Sequence, residues 1–109
     1  MPESRREFYR VAYPLGQRPT IAFGRLVHEV VDCSEKGLRY AVKDRRVPAV
    51  GAVVEGVIQF RRGSEITVTG EVIRARGGLV VLALDPALPF GEVLAEQRYL
   101  RSKGYTLRE

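Results

Sequence analysis

Short runs of β-branched and aromatic residues, each closed off by a turn-forming or charged cluster, constrain this chain more than any other feature. Thr20–Val31, Leu38–Lys43, Val53–Phe60, Ile66–Arg74 and Leu79–Leu84 are such runs, bounded by Gly, Pro, Asp or charged residues, and they read as strands. In the fourth run Ile66, Val68, Gly70 and Val72 fall on one face, with Thr67, Thr69 and Glu71 on the other. That is the period of a half-buried antiparallel strand. Arg61-Arg62-Gly63-Ser64 and Arg76-Gly77-Gly78 are short enough for hairpin turns, the glycines supplying positive φ. Five or six short strands with tight connections and no helical pattern between them predict an all-β domain, a small barrel or a sandwich.

After Pro86 and Pro89 the period changes. Phe90, Val93, Leu94 and Leu100 fall roughly at helical spacing and Gly104 offers a stop, so a C-terminal helix is expected over residues 90–103, packed on the strands by its apolar stripe. Glu92 and Glu96, four apart on that helix, read as a solvated face. With 109 residues, 45% of them apolar, the chain can build one modest core but not two. One domain is therefore expected over 1–109, with its strands in 20–85. Residues 1–11 carry no clean period and are expected to form a flexible arm.

Several function classes lack their machinery. The longest unbroken apolar run, Leu79–Leu84, is far short of the roughly 20 residues of a membrane-spanning helix, so no membrane insertion is expected. Met1-Pro2-Glu3-Ser4-Arg5-Arg6 places charge where a secretory signal is apolar, which predicts a cytoplasmic protein. The single cysteine, Cys33, has no disulfide partner, and no Cys/His cluster offers a metal site. The one histidine, His28, lies within an expected strand, and no histidine near Cys33 in sequence could activate it. Neither a G-x-x-x-x-G-K-[ST] loop nor a G-x-G-x-x-G opening a helix is present. We therefore expect no catalytic activity, no metal and no cofactor. A net charge of +5 favours an anionic partner: nucleotide, nucleic acid or acidic membrane surface.

Two constellations carry more specific chemistry. In Arg5-Arg6-Glu7-Phe8-Tyr9-Arg10, Arg6 and Arg10 are spaced R-x-x-x-R; Asp32-Cys33-Ser34-Glu35-Lys36-Gly37 reads D-x-S-x-x-G. In an extended arm, residues four apart share a side and lie roughly 13 Å apart, the scale of a dinucleotide. Each guanidinium fork can present paired donors to guanine O6 and N7 or to a phosphate. Asp32 and Ser34, two apart at the end of the first long strand, share a face and are expected at a solvent-facing turn. The carboxylate can accept from guanine N1 and N2 hydrogens, and the hydroxyl can donate or accept. Gly37 would allow the tight reversal into the next run. Alone, the first pattern is a common basic arm and the second a common turn. Together they occur in order, about twenty residues apart, with a β-run between them and a small β-domain after them.

In that conjunction the sequence resembles the PilZ family, bacterial receptor domains for cyclic di-GMP. The resemblance runs from about Arg5 to Arg101 and includes Gly70-Glu71-Val72-Ile73-Arg74, similar to the family's G-x-V-x-R strand, and the helix around Gln97-Arg98-Tyr99-Leu100. It implies a six-stranded antiparallel barrel with a C-terminal helix and an N-terminal arm that wraps the ligand. It implies further that Arg6 and Arg10 clamp guanine and phosphate, that Asp32 and Ser34 contact a guanine edge, and that Gly37 serves the turn. Arg5, immediately before the motif, is a candidate further contact. Arg74 reads either as a contact or as the partner of a carboxylate such as Glu71 or Asp85, and Arg62 as an unaligned surface arginine. An unidentified downstream protein would read the ordered arm. The competing readings are a basic barrel that binds RNA or single-stranded DNA, and a ligand-independent adaptor. Against nucleic acid, only Phe8 and Tyr9 are aromatics interleaved with a basic cluster.

Overall fold

The computed structural model describes residues 10–43 and 46–105. In chain order its elements are β1 (Val11–Ala12), a 3-10 turn (Leu15–Gln17), β2 (Thr20–Phe23), β3 (Leu26–Cys33), β4 (Gly37–Ala41), β5 (Val53–Gln59), β6 (Glu65–Arg76), β7 (Leu79–Leu84) and α1 (Phe90–Ser102). All strand pairings are antiparallel. From β3 the sheet runs through β2, β5, β6, β7 and β4 and returns to β3, closing six strands into a barrel. The seventh, β1, pairs with Asp32 and Cys33 at the far end of β3, on the side where β2 pairs with Leu26 to Glu29. The barrel and the single C-terminal helix expected from the sequence are both present.

The run expected at 20–31 is two strands rather than one. Gly24, at φ 62°, opens a two-residue turn with Arg25 that sets Phe23 opposite Leu26. Glycine first in a two-residue loop suits a type II′ hairpin. Nothing in the apolar pattern on either side signals so short a break, yet it supplies the sixth strand of the barrel. Gly56 on β5 serves the same corner, because a Cβ there would meet the Phe23 ring at 2.7 Å and Ala22 O at 2.9 Å.

Alternation fills the interior. Ile21, Val30, Leu38, Tyr40, Ile58, Val68, Val72, Val80 and Leu82 are buried inside the barrel, each contributing on the order of 1.5–3 kcal/mol of burial. Val11, Tyr13, Leu88, Val93 and Leu100 extend this core to the helix. The buried positions of α1 are Val93, Glu96 and Leu100. Its apolar stripe therefore has a carboxylate at its centre, and Phe90, expected to pack, is exposed. Among the described residues no helix is long and apolar enough to cross a membrane.

Candidate functional site

Strand parity locates the site. Along β3, His28 and Val30 face the inside with Ile21 and Tyr40, and strict alternation would send Asp32 inward after them. The register instead shifts between Val30 and Asp32, so that Asp32 pairs with Arg39 while Cys33, paired with Leu38, takes the buried position. Along β6 the same thing happens. Val68, Gly70 and Val72 face inward, and alternation would bury Arg74, but the register shifts between Val72 and Arg74. Arg74 pairs with Val81, and Ala75 returns to the core side against Val80. An extra residue in a strand re-aims the side chains after it, and here each bulge keeps one charge out of an apolar interior that would penalise it heavily.

The result is one cross-strand row on the outside of the barrel. Asp32 on β3 stands beside Arg39 on β4, Arg39 beside Val81 on β7, and Val81 beside Arg74 on β6. Three inter-strand steps of about 4.8 Å make the row roughly 14 Å long. On its other side Asp32 pairs with Ala12 of β1, which brings Arg10, two residues earlier, to the same face. A cleft of about 380 Å³ lies along the row, lined by Arg10, Asp32, Ser34, Gly37, Arg39 and Arg74 with apolar surface from Leu38, Ile73 and Val81. Three guanidiniums and one carboxylate leave it with a surplus of two positive charges.

Asp32 is the pivot of the cleft. Its side chain is 3% exposed, and its Oδ2 accepts from Arg39 Nε at 2.9 Å and Nη2 at 2.5 Å and from Arg10 Nη1 at 3.2 Å. These bonds, and then the carboxylate's charge, raise the Arg39 guanidinium above its ordinary value. Ser34 closes the β3–β4 hairpin: its backbone N–H donates to Gly37 O at 2.8 Å, and its hydroxyl points to the same oxygen at 3.5 Å.

Of the residues singled out in the sequence, Arg10, Asp32, Ser34 and Gly37 meet at this cleft. Arg5 and Arg6, and most of the expected arm, lie outside the described residues; Val11, its last position, is buried in β1. Two expectations need correction. Asp32 is not at a solvent-facing turn but within β3, covered by two arginines, because the bulge seats it beside Arg39. Gly37 has no positive φ, and a Cβ there would meet Ser34 Oγ at 3.6 Å, so the reversal does not draw on glycine's conformational freedom. Arg74 is exposed and forms no ion pair with Glu71, Asp85 or any other described carboxylate. Arg39 was missed. Counting back across the hairpin from Ser34 and Gly37 to Cys33 and Leu38 would have placed it beside Asp32.

A second polar cluster joins Tyr13, just after β1, to the helix. Tyr13 donates to Glu96 Oε1 at 2.6 Å and lies 3.6 Å from Cys33 Sγ. Arg62 Nε donates to Glu96 Oε2 at 2.5 Å, Nη1 to Ser64 Oγ at 2.9 Å, and Nη2 to Glu92. Glu96 is 1% exposed, so it is no part of a solvated face, and Arg62 is no unaligned surface arginine. Burial pulls the Arg62 guanidinium down, but its bonds to Glu92 and Glu96 outweigh this and leave it raised. The partners of Glu96 come from 34 and 83 positions away, beyond the reach of a local pattern.

The family model of the PilZ domain matches residues 4–95 of this chain. The chain belongs to the PilZ family. PilZ domains are receptor and adaptor domains associated with cyclic di-GMP and with partner proteins. Among solved structures, this PilZ domain is similar to the Bacillus subtilis inhibitor of motility MotI/DgrA, with 14% identity and a TM-score of 0.67 over 97% of this chain and 55% of that one. It is also similar to an uncharacterized Legionella protein, with 19% identity and a TM-score of 0.59 over 87% of this chain and 96% of that one. The PilZ chain thus spans about half the length of MotI/DgrA, and at these identities the likeness is one of fold. No curated protein matches it.

Proposed function

We propose that this PilZ domain binds cyclic di-GMP and performs no chemistry on it. The observation that carries the reading is the Arg10–Asp32 pair, 3.2 Å apart across 22 sequence positions, which brings the second arginine of R-x-x-x-R to the cleft of D-x-S-x-x-G. A cyclic dinucleotide with two phosphodiesters matches the cleft's surplus of two positive charges, and its size matches a row of roughly 14 Å. Asp32 accepts from a guanine N1–H and N2–H, the pair of donors that adenine lacks. Ser34 adds a hydroxyl beside it, and Gly37 keeps the wall free of a side chain. Arg10, with Arg6 and Arg5 ahead of it, gives paired donors to phosphate and to guanine O6 and N7. Ordering of residues 1–10 around the ligand then gives a downstream protein, in the cytoplasm, a surface to read.

Calorimetry at moderate salt tests this. Cyclic di-GMP should bind with a Kd from below micromolar to about 10 μM, on the order of 7 to 9 kcal/mol, because forks on two phosphates must also offset the ordering of a segment. GTP and a short single-stranded oligonucleotide should bind far more weakly. No heat with cyclic di-GMP would refute the receptor reading; tighter binding of the oligonucleotide would move the function to nucleic acid.

A further inference from the structure

Resting on that reading, we infer that Arg39 is the positioning residue that sets the cleft's preference for guanine, by holding the Asp32 carboxylate in the orientation from which it accepts the base. The two arginines on Asp32 are unequal. Arg10 makes a single 3.2 Å contact from a side chain that is 59% exposed, on a segment attached to the barrel by the two residue pairs of β1. Arg39 makes two contacts, at 2.9 and 2.5 Å, from the middle of a strand paired on both sides. A ligand that needs the carboxylate therefore displaces Arg10 and leaves Arg39 in place. Arg10 is then free to turn its fork to the ligand.

The chemistry of a guanine edge makes the orientation matter. Two parallel N–H donors require both carboxylate oxygens in the plane of the base, and a carboxylate free to rotate loses that match. Arg39 delivers two donors to Oδ2 and none to Oδ1, which fixes the plane of the carboxylate; the base then takes Oδ1 and the place on Oδ2 that Arg10 gives up. In its absence Arg10 would be the only arginine on Asp32, and the carboxylate would turn with it. Adenine presents an acceptor at the ring nitrogen where guanine has N1–H, so an aligned carboxylate repels it. Alignment therefore governs the ratio of guanine to adenine binding, whereas the phosphate contacts govern both alike.

The test compares cyclic di-GMP with cyclic di-AMP, which has the same backbone and charge, on the full chain. Arg39→Ala removes one cleft charge and so weakens both ligands somewhat, but it should weaken cyclic di-GMP about tenfold or more beyond the loss for cyclic di-AMP, the scale of one bidentate base contact, so that the preference collapses. Arg39→Gln, which keeps an N–H donor and a similar stem, guards against misfolding and should fall between parent and Ala. Arg74→Ala, at the other end of the row and without a contact to Asp32, should weaken both ligands equally. Equal losses for both ligands in the Arg39 variants would reduce Arg39 to one more anion contact and overturn the inference, as would an unchanged ratio. A parent that binds neither ligand would sink the receptor reading itself, and this inference with it.

Discussion

Asp32 and Arg10 hold each other in the free protein, and the same two side chains are the proposed ligand contacts, so each has two partners at different times. Arg10→Ala should weaken cyclic di-GMP binding by about 2–5 kcal/mol, because a desolvated phosphate or guanine edge loses a paired donor. Arg10→Lys should recover only part, since an ammonium lacks the planar fork. Arg25, exposed at the β2–β3 turn, is the proper control and should change binding by less than about 0.5 kcal/mol; titration of the three variants decides. Stability should barely move in Arg10→Ala, because a contact from a largely exposed arginine is worth little. If Arg25→Ala costs as much as Arg10→Ala, the attraction is diffuse charge and the cleft is not the site. The motif residues were legible because their chemistry shows in residue type and spacing. Arg39 was not, because its meaning lies in the strand it pairs with.

At the level of elements, alternation read the strands and the helix well and then failed at two places, Val31 and Ile73, where an extra residue slips the phase. Strict period two would put Asp32 and Arg74 in the core with Val30 and Val72, and the cost of burying those charges is what makes the slip favourable. The sequence therefore contained the conflict but not its resolution, which depends on which neighbouring strand receives the displaced side chain. The helix posed the opposite problem. Glu96 sits at the centre of its buried stripe, in a place where an apolar residue would be expected, because Tyr13 and Arg62 reach it from remote segments. Glu96→Ala leaves the buried Tyr13 hydroxyl without its acceptor and takes from Arg62 one of its two carboxylates, and should destabilise the fold by about 1–3 kcal/mol. Glu92→Ala, at a position a third exposed, should cost under about 1 kcal/mol. Urea unfolding of the two variants checks this, and equal costs would mean that the helix is held by its apolar contacts alone.

Across the whole molecule the same cluster sets an alkaline limit. Burial, ahead of the Tyr13 hydrogen bond that opposes it, pushes the Cys33 thiol up to about 12 from an ordinary 9.0. Burial first, then the nearby Cys33 and Glu96, also lifts the Tyr13 hydroxyl far above its usual range. Both groups hold their protons more tightly folded than unfolded, so their contribution is intact below about pH 9. It is lost as pH rises toward 12, at up to about 1.4 kcal/mol per pH unit for each group. Unfolding free energy measured from pH 7 to 11 should be level to about 9 and then fall, and Cys33→Ala should remove the earliest part of the fall. A parent curve still level at pH 11 would contradict the burial of both groups. The tie between Tyr13 and Glu96 also bears on the order in which the molecule is assembled. Successive barrel strands from β5 to β7 are joined by short hairpins and can pair early, whereas Tyr13, next to β1, meets Glu96 across 83 positions, a closure made late. A chain still being synthesised, with its strands in place but residue 96 not yet emerged, would already hold every residue that lines the cleft, but not the tie between Tyr13 and Glu96. Docking of the helix then fastens, through Tyr13, the segment that carries Arg10, so the last step of folding tightens a cleft that the strands have already outlined.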